Sequence, residues 1–161
     1  MVRDWTLSRR DCEVVNKYRK QYRLGFAIQL CAMRLYGRFL NQLHDLSPRV
    51  ISYLSSQLDL PPTLTVEVPE REATVLEHRN NILKYLGFHR FDDKVEADLD
   101  RWIEEHAQQG LLPDELFHRA ERHLLLKRIV LPGPTTIERQ IIRICNQVHA
   151  QLFEQVFDQM S

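Results

Sequence analysis

Residues 26–36, FAIQLCAMRLY, decide the fold of the first part of the chain. Apolar side chains occupy almost every position of this stretch, and Gly25 and Gly37 stand on either side of it. A helix that is apolar nearly all round is stable in water only when other elements surround it. We therefore expect a helix over 26–36 at the centre of a small helical unit. Gly25 would end the preceding helix, and Gly37 would end this one.

Helices are also predicted on both sides of this central stretch. One begins at Ser8, whose hydroxyl can accept a hydrogen bond from the amide of Asp11, and runs to about Arg23. Another begins at Ser47-Pro48, with the serine as cap and the proline in the first helical position. Together these elements predict a three-helix unit over residues 1–58.

A proline-rich segment follows this unit. Pro61, Pro62 and Pro69, with β-branched residues between them, predict an extended connector over 59–69. Beyond it the apolar spacing predicts a second helical unit over 70–161, with helices over about 70–86 and 93–109 and two more that open at 113 and 135. The fold class is therefore all-α, as two small helical subdomains joined by the connector.

Composition restricts the kind of protein. Apolar residues make up 43% of the 161 and charged residues 27%, which is typical of a globular domain. No apolar window approaches the length of a membrane span, and the first residues do not resemble an export signal, so we expect a cytoplasmic protein. Cys12, Cys31 and Cys145 are odd in number and far apart, which predicts free, buried or inert thiols.

The charge is unevenly distributed although the formal net charge is zero. Residues 1–50 contain ten Lys/Arg and four Asp/Glu, which gives 10 − 4 = +6 and leaves −6 for the remainder. Binding to phosphates requires a positive surface. The first third of the chain is therefore predicted to face a polyanion, while the rest serves as scaffold or contacts other proteins.

A basic set on or beside the first predicted helix is the first candidate interface. Its cations would contact phosphates and its tyrosine hydroxyls would bond phosphate oxygens, although a solvated helix face explains the pattern equally well. The members are Arg9, Arg10, Lys17, Arg19, Lys20 and Arg23, with Tyr18 and Tyr22 among them.

The three-helix unit resembles a helix-turn-helix variant, and the alternative is a plain three-helix bundle. In the first interpretation the third helix, led by Arg49 and carrying Ser52, lies near the major groove of DNA. Arg34 and Arg38 are further candidates for DNA contact. Weaker candidates in the second half are Arg122, Lys127, Arg128, Arg139 and Arg143.

Catalytic and metal sites find little support in the sequence. It contains no Cys-x-x-Cys and no His-Glu-x-x-His, and His118 and His123 are five residues apart, which places them poorly on one helical face. No serine or cysteine is paired with a recognisable base, and the acids between 92 and 105 fit a solvated helix. We expect no metal, no cofactor, no small-molecule substrate and no catalytic residue in this chain.

Three segments occur together in the order found in a known family. Residues 23–31 read RLGFAIQLC and are followed by GRF at 37–39. An RxxTxxxH pattern spans 71–78, ahead of LGF at 86–88, and residues 131–139 read LPGPTTIER. This combination resembles the N-terminal domain of the Tn-three family of replicative transposases.

The resemblance implies a function in DNA transposition. It implies that the chain binds the terminal inverted repeats of a transposon as double-stranded DNA. Strand cleavage and transfer would belong to a distant RNase-H-like domain with three metal-binding acids, and a homodimer would form through the parent transposase. The alternative is a regulatory, dimerisation or immunity module that uses the acidic second half and the apolar stripe from Ile137 to Val156.

Overall fold

Seven α-helices form the regular structure of the residues that the computed structural model describes, 2–61 and 65–160. Within these residues the extended chain forms only an isolated bridge, between His89 and Ile129, so the all-α prediction is confirmed. Two short 3-10 turns, Val2–Trp5 and Leu43–Asp45, accompany the helices. The helices are α1 Arg9–Val15, α2 Lys20–Tyr36, α3 Pro48–Gln57, α4 Glu72–Leu86, α5 Asp93–Gln108, α6 Pro113–Leu126 and α7 Pro134–Met160.

The chain forms two compact units, the first ending at Phe88 and the second beginning at His89. This division differs from the predicted connector at 59–69, because α4 packs against α2 and belongs to the first unit. Val66, within the predicted connector, is itself buried. The prolines at 61 and 69 therefore belong to a segment that packs on the first unit, and residues 62–64 lie outside the described part of the chain.

Gly25 lies inside α2, so the predicted helix boundary at this glycine is wrong. A Cβ atom at Gly25 would lie 3.1 Å from the carbonyl oxygen of Glu67 and 3.4 Å from the Cγ1 atom of Val66. The glycine therefore permits a close approach of the chain and does not form a turn. Gly37 does end α2 in the left-handed conformation, with φ 68°, as predicted.

The first helical stretch is broken where a continuous helix to Arg23 was expected. α1 ends at Val15, and α2 begins only at Lys20. Arg23 supplies the reason, because its guanidinium donates hydrogen bonds to the carbonyl oxygens of Asn16 and Tyr18, both at 3.0 Å. These bonds satisfy carbonyls of the turn over 16–19 that separates the two helices.

The core of the first unit is centred on α2, as the sequence predicts. Ile28, Leu30 and Met33 of this helix are fully buried, and α1, α3, α4 and the Val2–Trp5 turn all contact it. Leu54 of α3 and Ile82 of α4 complete the group of large buried side chains. A helix apolar nearly all round is stable here because its neighbours cover it on several sides.

The helix-turn-helix arrangement is not confirmed. Residues 37–47, which include the Leu43–Asp45 turn, separate α2 from α3, whereas the motif joins its helices by a turn of about three or four residues. Ser47 occupies the cap position of α3, but its side chain makes no capping hydrogen bond. Pro48 stands in the first turn, as predicted.

The second unit is a bundle of α5, α6 and α7. Its fully buried centre includes Ile103 of α5, Leu116 of α6 and Ile137 of α7. Asp92 caps α5, since its carboxylate accepts a hydrogen bond from the Val95 amide at 2.8 Å. Asp93 and Glu96 lie inside the first turn, where acids stabilise the start of a helix.

Candidate nucleic-acid interface

The N-terminus of α2 concentrates positive charge at one place on the first unit. Arg19 holds the cap position and Lys20 the first helical position, with Lys17 in the preceding turn. All three are exposed, and within residues 2–61 and 65–160 they form no hydrogen bond or ion pair through their side chains. The helix has no capping side chain and no acid in its first turn. We call Lys17, Arg19 and Lys20 the α2 basic end.

The free amides at this helix start add to its positive character. The first amides of any α-helix lack intrahelical acceptors, and the aligned peptide dipoles place about half a positive charge there. In many helices an acid or a serine side chain occupies this position. Since α2 has neither an acid nor a capping side chain at this position, the amides of the α2 basic end can donate hydrogen bonds to a phosphate oxygen from solution.

Arg23 and the two neighbouring tyrosines are engaged within the protein. Arg23 is half-buried and donates to backbone carbonyls, as described above. Tyr18 stacks on Phe26 with ring centroids 4.0 Å apart, and its hydroxyl accepts a hydrogen bond from Asn81 at 3.0 Å. Tyr22 lies edge-on to His78, at 6.2 Å between centroids. These three side chains therefore pack within the first unit, next to the α2 basic end.

Arg34 is held in an ion pair that links three helices. Its Nη1 and Nη2 atoms donate to the Asp11 carboxylate at 2.9 and 2.8 Å. Tyr85 of α4 donates to the same carboxylate at 2.7 Å, and the Ser8 amide donates at 2.9 Å. Ser8 in turn accepts from the Asp11 amide at 3.0 Å, so the predicted cap at Ser8 is confirmed as a reciprocal capping box.

Asp11 is only 1% exposed, and yet its carboxyl is strongly acidic. Burial by itself raises its pKa, but the hydrogen bonds from Arg34, Ser8 and Tyr85 outweigh burial and lower the pKa from 3.8 to about 2. The carboxylate is therefore ionised at neutral pH. Since its partners include the guanidinium of Arg34, we leave Arg34 out of the surface available to a ligand.

This depressed pKa predicts an acid-sensitive stability. A carboxyl with a pKa of about 2 when folded and 3.8 in its ordinary state contributes about 2 kcal/mol above pH 4, which is lost as the pH falls towards 2. Denaturation of the wild type and of Asp11→Asn at pH 5 and pH 2 tests this. The difference in free energy of unfolding between the two proteins should shrink by about 2 kcal/mol. A difference that stays constant would contradict the assignment.

The other predicted residues of the first unit occupy different surroundings. Arg9 is exposed and lies 3.8 Å from Glu13, a distance at which the pair contributes little. The guanidinium carbon of Arg10 lies 5.6 Å from the ring centroid of Tyr85, in a cation-π contact. Arg38 is half-buried and has an interaction partner inside the protein. None of the three belongs to the α2 basic end.

α3 presents a polar outer face. Arg49, Ser52 and Ser56 follow one another at helical spacing and are exposed, while Val50, Ile51 and Leu54 face the core. Gln57 fixes this helix to the start of the chain, because its amide donates to the Trp5 carbonyl at 3.0 Å and accepts from the Leu7 amide at 2.7 Å. The Arg49 face is therefore held rigidly and open to solvent.

The predicted cations of the second unit are all exposed. Arg143 donates to Asp100 at 2.9 Å, and Arg128, which has a positive φ of 56°, has an interaction partner inside the protein. The remaining members of this set are Arg122, Lys127 and Arg139.

The titratable groups outside these surfaces include stacked and buried side chains. Among the described residues no three His, Cys, Asp or Glu side chains are placed to hold a metal ion. Trp102 stacks on His106 and His123, with centroids 4.1 and 4.9 Å away, and burial lowers the pKa of His123. The three cysteines are free, as predicted, and burial raises the pKa of each thiol.

Comparison with known proteins identifies the family of this chain. Residues 1–144 match the family described as "Domain of unknown function (DUF4158)". The chain belongs to this family. No helix among the described residues of this DUF4158 chain is long and apolar enough to cross a membrane.

Curated relatives of the DUF4158 chain are transposases. The transposase for transposon gamma-delta of Escherichia coli (strain K12) is 32% identical over 160 residues, which cover 97% of this chain. The transposases for Tn501 of Pseudomonas aeruginosa and Tn1546 of Enterococcus faecium are 31% and 30% identical, over 98% and 94% of it. The chain spans about 16% of the length of each relative. These matches confirm the resemblance to Tn-three-family transposases.

Sequence reasoning missed the structural roles of two residues in the DUF4158 chain. Arg34 and Arg23 were grouped with the surface cations, but one binds Asp11 and the other binds backbone carbonyls. Asp11 lies 23 positions from Arg34 and 74 positions from Tyr85, which donates to the same carboxylate, and no local pattern connects the three residues. The α2 basic end was contained in the predicted set, without a signal that set it apart.

Proposed function

We propose that this DUF4158 domain binds double-stranded DNA and, within a transposase, recognises the terminal inverted repeats of the transposon. The observation that carries the proposal is the α2 basic end, where three exposed cations without side-chain partners in the described chain surround the start of an uncapped helix. Kinship with transposases supplies the biological setting. Bacterial cytoplasm, with association to the nucleoid, is the proposed location.

The phosphate backbone of DNA is the ligand that this surface fits. Amides at a helix start and nearby lysine or arginine side chains bind phosphate oxygens in many proteins, and such contacts provide affinity without reading sequence. The first unit contains thirteen Lys/Arg and nine Asp/Glu, a net +4, whereas the second contains nine and thirteen, a net −4. The favourable long-range field is therefore on the unit that carries the α2 basic end.

Sequence selection requires a second surface, and α3 is our candidate. Its outer face offers the guanidinium of Arg49 and the hydroxyls of Ser52 and Ser56, groups that donate to or accept from base edges. Gln57 fixes this short helix to the start of the chain through two hydrogen bonds, so the outer face of the helix would enter a groove without rearrangement. A bidentate contact of Arg49 with guanine would discriminate by about 1 to 3 kcal/mol.

A titration against two duplexes tests the proposal. One duplex contains the terminal inverted repeat of the transposon that encodes the protein, and the other contains the same bases in scrambled order. We expect tighter binding to the inverted repeat and a decline of affinity with salt of about 0.9 log unit per log unit of salt for each neutralised phosphate. Arg49→Ala should reduce the preference between duplexes by about tenfold. Equal affinity for both duplexes would exclude inverted-repeat recognition by this domain.

We place catalysis elsewhere in such a transposase. The chain spans about 16% of the length of its curated relatives, and strand cleavage and transfer would reside in the portion that it does not span. Under this proposal the domain works as a DNA-positioning module. It requires neither a metal nor a cofactor for its own binding step.

A further inference from the structure

The C-terminal part of α7 leaves the three-helix bundle and exposes a second apolar face. Every residue from His149 to Met160 is exposed, including large apolar side chains whose exposed fractions run from 48% at Leu152 to 81% at Met160. Ile142, earlier on the helix, is 55% exposed. A solvated helix normally carries polar residues on such a surface, so this face requires a partner.

The exposed face is separate from the face that packs against α5 and α6. The bundle-facing residues of α7 include Ile137, Ile141, Ile144 and Val148. Beyond Val148 the positions that continue this bundle-facing side are mostly polar, at Gln151, Gln155 and Gln159, and Leu152 is an apolar residue at its edge. Phe153, Phe157 and Met160 lie on another side of the helix.

The second face has the spacing of a coiled-coil seam. Its positions advance by 4, 3, 4, 3 and 4 residues, which is the alternation of the a and d sites in a heptad repeat. An asparagine at one a site pairs best with the same asparagine of a second chain in parallel register, and it fixes that register. The seam consists of Ile142, Asn146, His149, Phe153, Val156 and Met160.

We propose that this α7 seam joins two copies of the chain in a parallel, two-stranded coiled coil. The seam is self-complementary because Asn146 faces its own counterpart only when identical helices run parallel. Glu154 and Asp158 occupy outer positions b and f, away from the partner. The flanking e and g positions of the tail, Ala150, Leu152, Phe157 and Gln159, are uncharged, so the tails of two copies meet without repulsion between like charges.

The area available agrees with a stable dimer. Specific interfaces bury about 1,200 Å² or more in total, or about 600 Å² from each chain. Six large apolar side chains of the seam and its flanks, Ile142, Leu152, Phe153, Val156, Phe157 and Met160, are 48–81% exposed. At roughly 100 Å² of exposed surface each, they present about the required area.

Sedimentation velocity of the full chain tests the proposal. Between about 1 and 100 µM we expect a concentration-dependent shift from the 19.2 kDa monomer to a species of twice that mass. Phe153→Asp should keep the protein monomeric over this range, whereas Gln151→Asp, which adds the same charge at the outer f position, should leave the dimer intact. Since both positions are exposed, the helix content of both variants should match the wild type.

Disulfide trapping tests the parallel register. Val156→Cys should form a covalent dimer rapidly under mild oxidation, because d sites face each other in a parallel pair, and Gln151→Cys should not. A monomer at every concentration, a dimer that survives Phe153→Asp, or equal trapping of the two cysteine variants would each overturn the proposal. None of these outcomes depends on whether the domain binds DNA.

Discussion

Replacing Asp11 with alanine is expected to lower the free energy of unfolding of the first unit by about 3 kcal/mol. The substitution removes the acceptor of four hydrogen bonds, from two Arg34 nitrogens, Tyr85 and the Ser8 amide, and leaves the guanidinium of Arg34 without its carboxylate. Because Arg34 is 38% exposed, water compensates part of the loss, which keeps the effect at the lower end of that for buried ion pairs.

Denaturation by urea at pH 7 measures this effect. The matched control is Glu13→Ala, which removes the other acid of α1 from its exposed pair with Arg9 and should change stability by less than about 0.5 kcal/mol. Typical domains are stable by only about 5–15 kcal/mol, so the Asp11 variant should show a clearly earlier midpoint. If the two variants unfolded at the same denaturant concentration, the hydrogen bonds of the Asp11 carboxylate would not stabilise the unit.

Removing the α2 basic end is expected to weaken binding to any DNA duplex by about a hundredfold. In the triple variant Lys17→Ala, Arg19→Ala and Lys20→Ala, three phosphate contacts of about 1 kcal/mol each are lost. The slope of log affinity against log salt should fall by about 2.7, which is three times 0.9. Folding should be unaffected because the three side chains are exposed and have no partners among the described residues.

A second triple variant separates local contact from general charge. Arg71→Ala, Lys84→Ala and Lys94→Ala remove the same three charges from other exposed positions. Titrations of both variants with inverted-repeat and scrambled duplexes, at two salt concentrations, compare them. We expect a small, non-specific loss for this control. Equal losses in the two triple variants would show that net charge, and not the α2 basic end, accounts for binding.

Local features of the fold were predictable because their signals lie within a few residues. Ser8 accepts a hydrogen bond from the Asp11 amide as expected, and Gly37 ends α2 in the left-handed conformation. Pro48 opens α3 as expected. The central burial of α2 also followed from its apolar composition. These features depend on backbone conformation and on hydrophobicity, which a single sequence displays directly.

Features that depend on distant contacts were not predictable from the sequence. A glycine in the sequence can either end a helix or allow another segment of the chain to pack closely against it. At Gly25 only the contact with the Glu67 carbonyl, which is distant in sequence, shows that the second case applies. The placement of α4 on α2 likewise moved the boundary between units from 59–69 to Phe88. The candidate interface was predicted as a set of eight side chains, and long-range hydrogen bonds of Arg23 and Tyr18 decide which of them remain available.

The position of α4 has a practical consequence for dissecting the protein. Since α2 is apolar nearly all round, a fragment that stopped at residue 58 would uncover the side on which α4 sits and would take Tyr85 away from Asp11. Such a fragment would be partly folded and would aggregate through its exposed apolar surface. The boundary for isolating the first unit lies after Phe88, so that α4 keeps the apolar surface of α2 covered and Tyr85 stays hydrogen-bonded to Asp11.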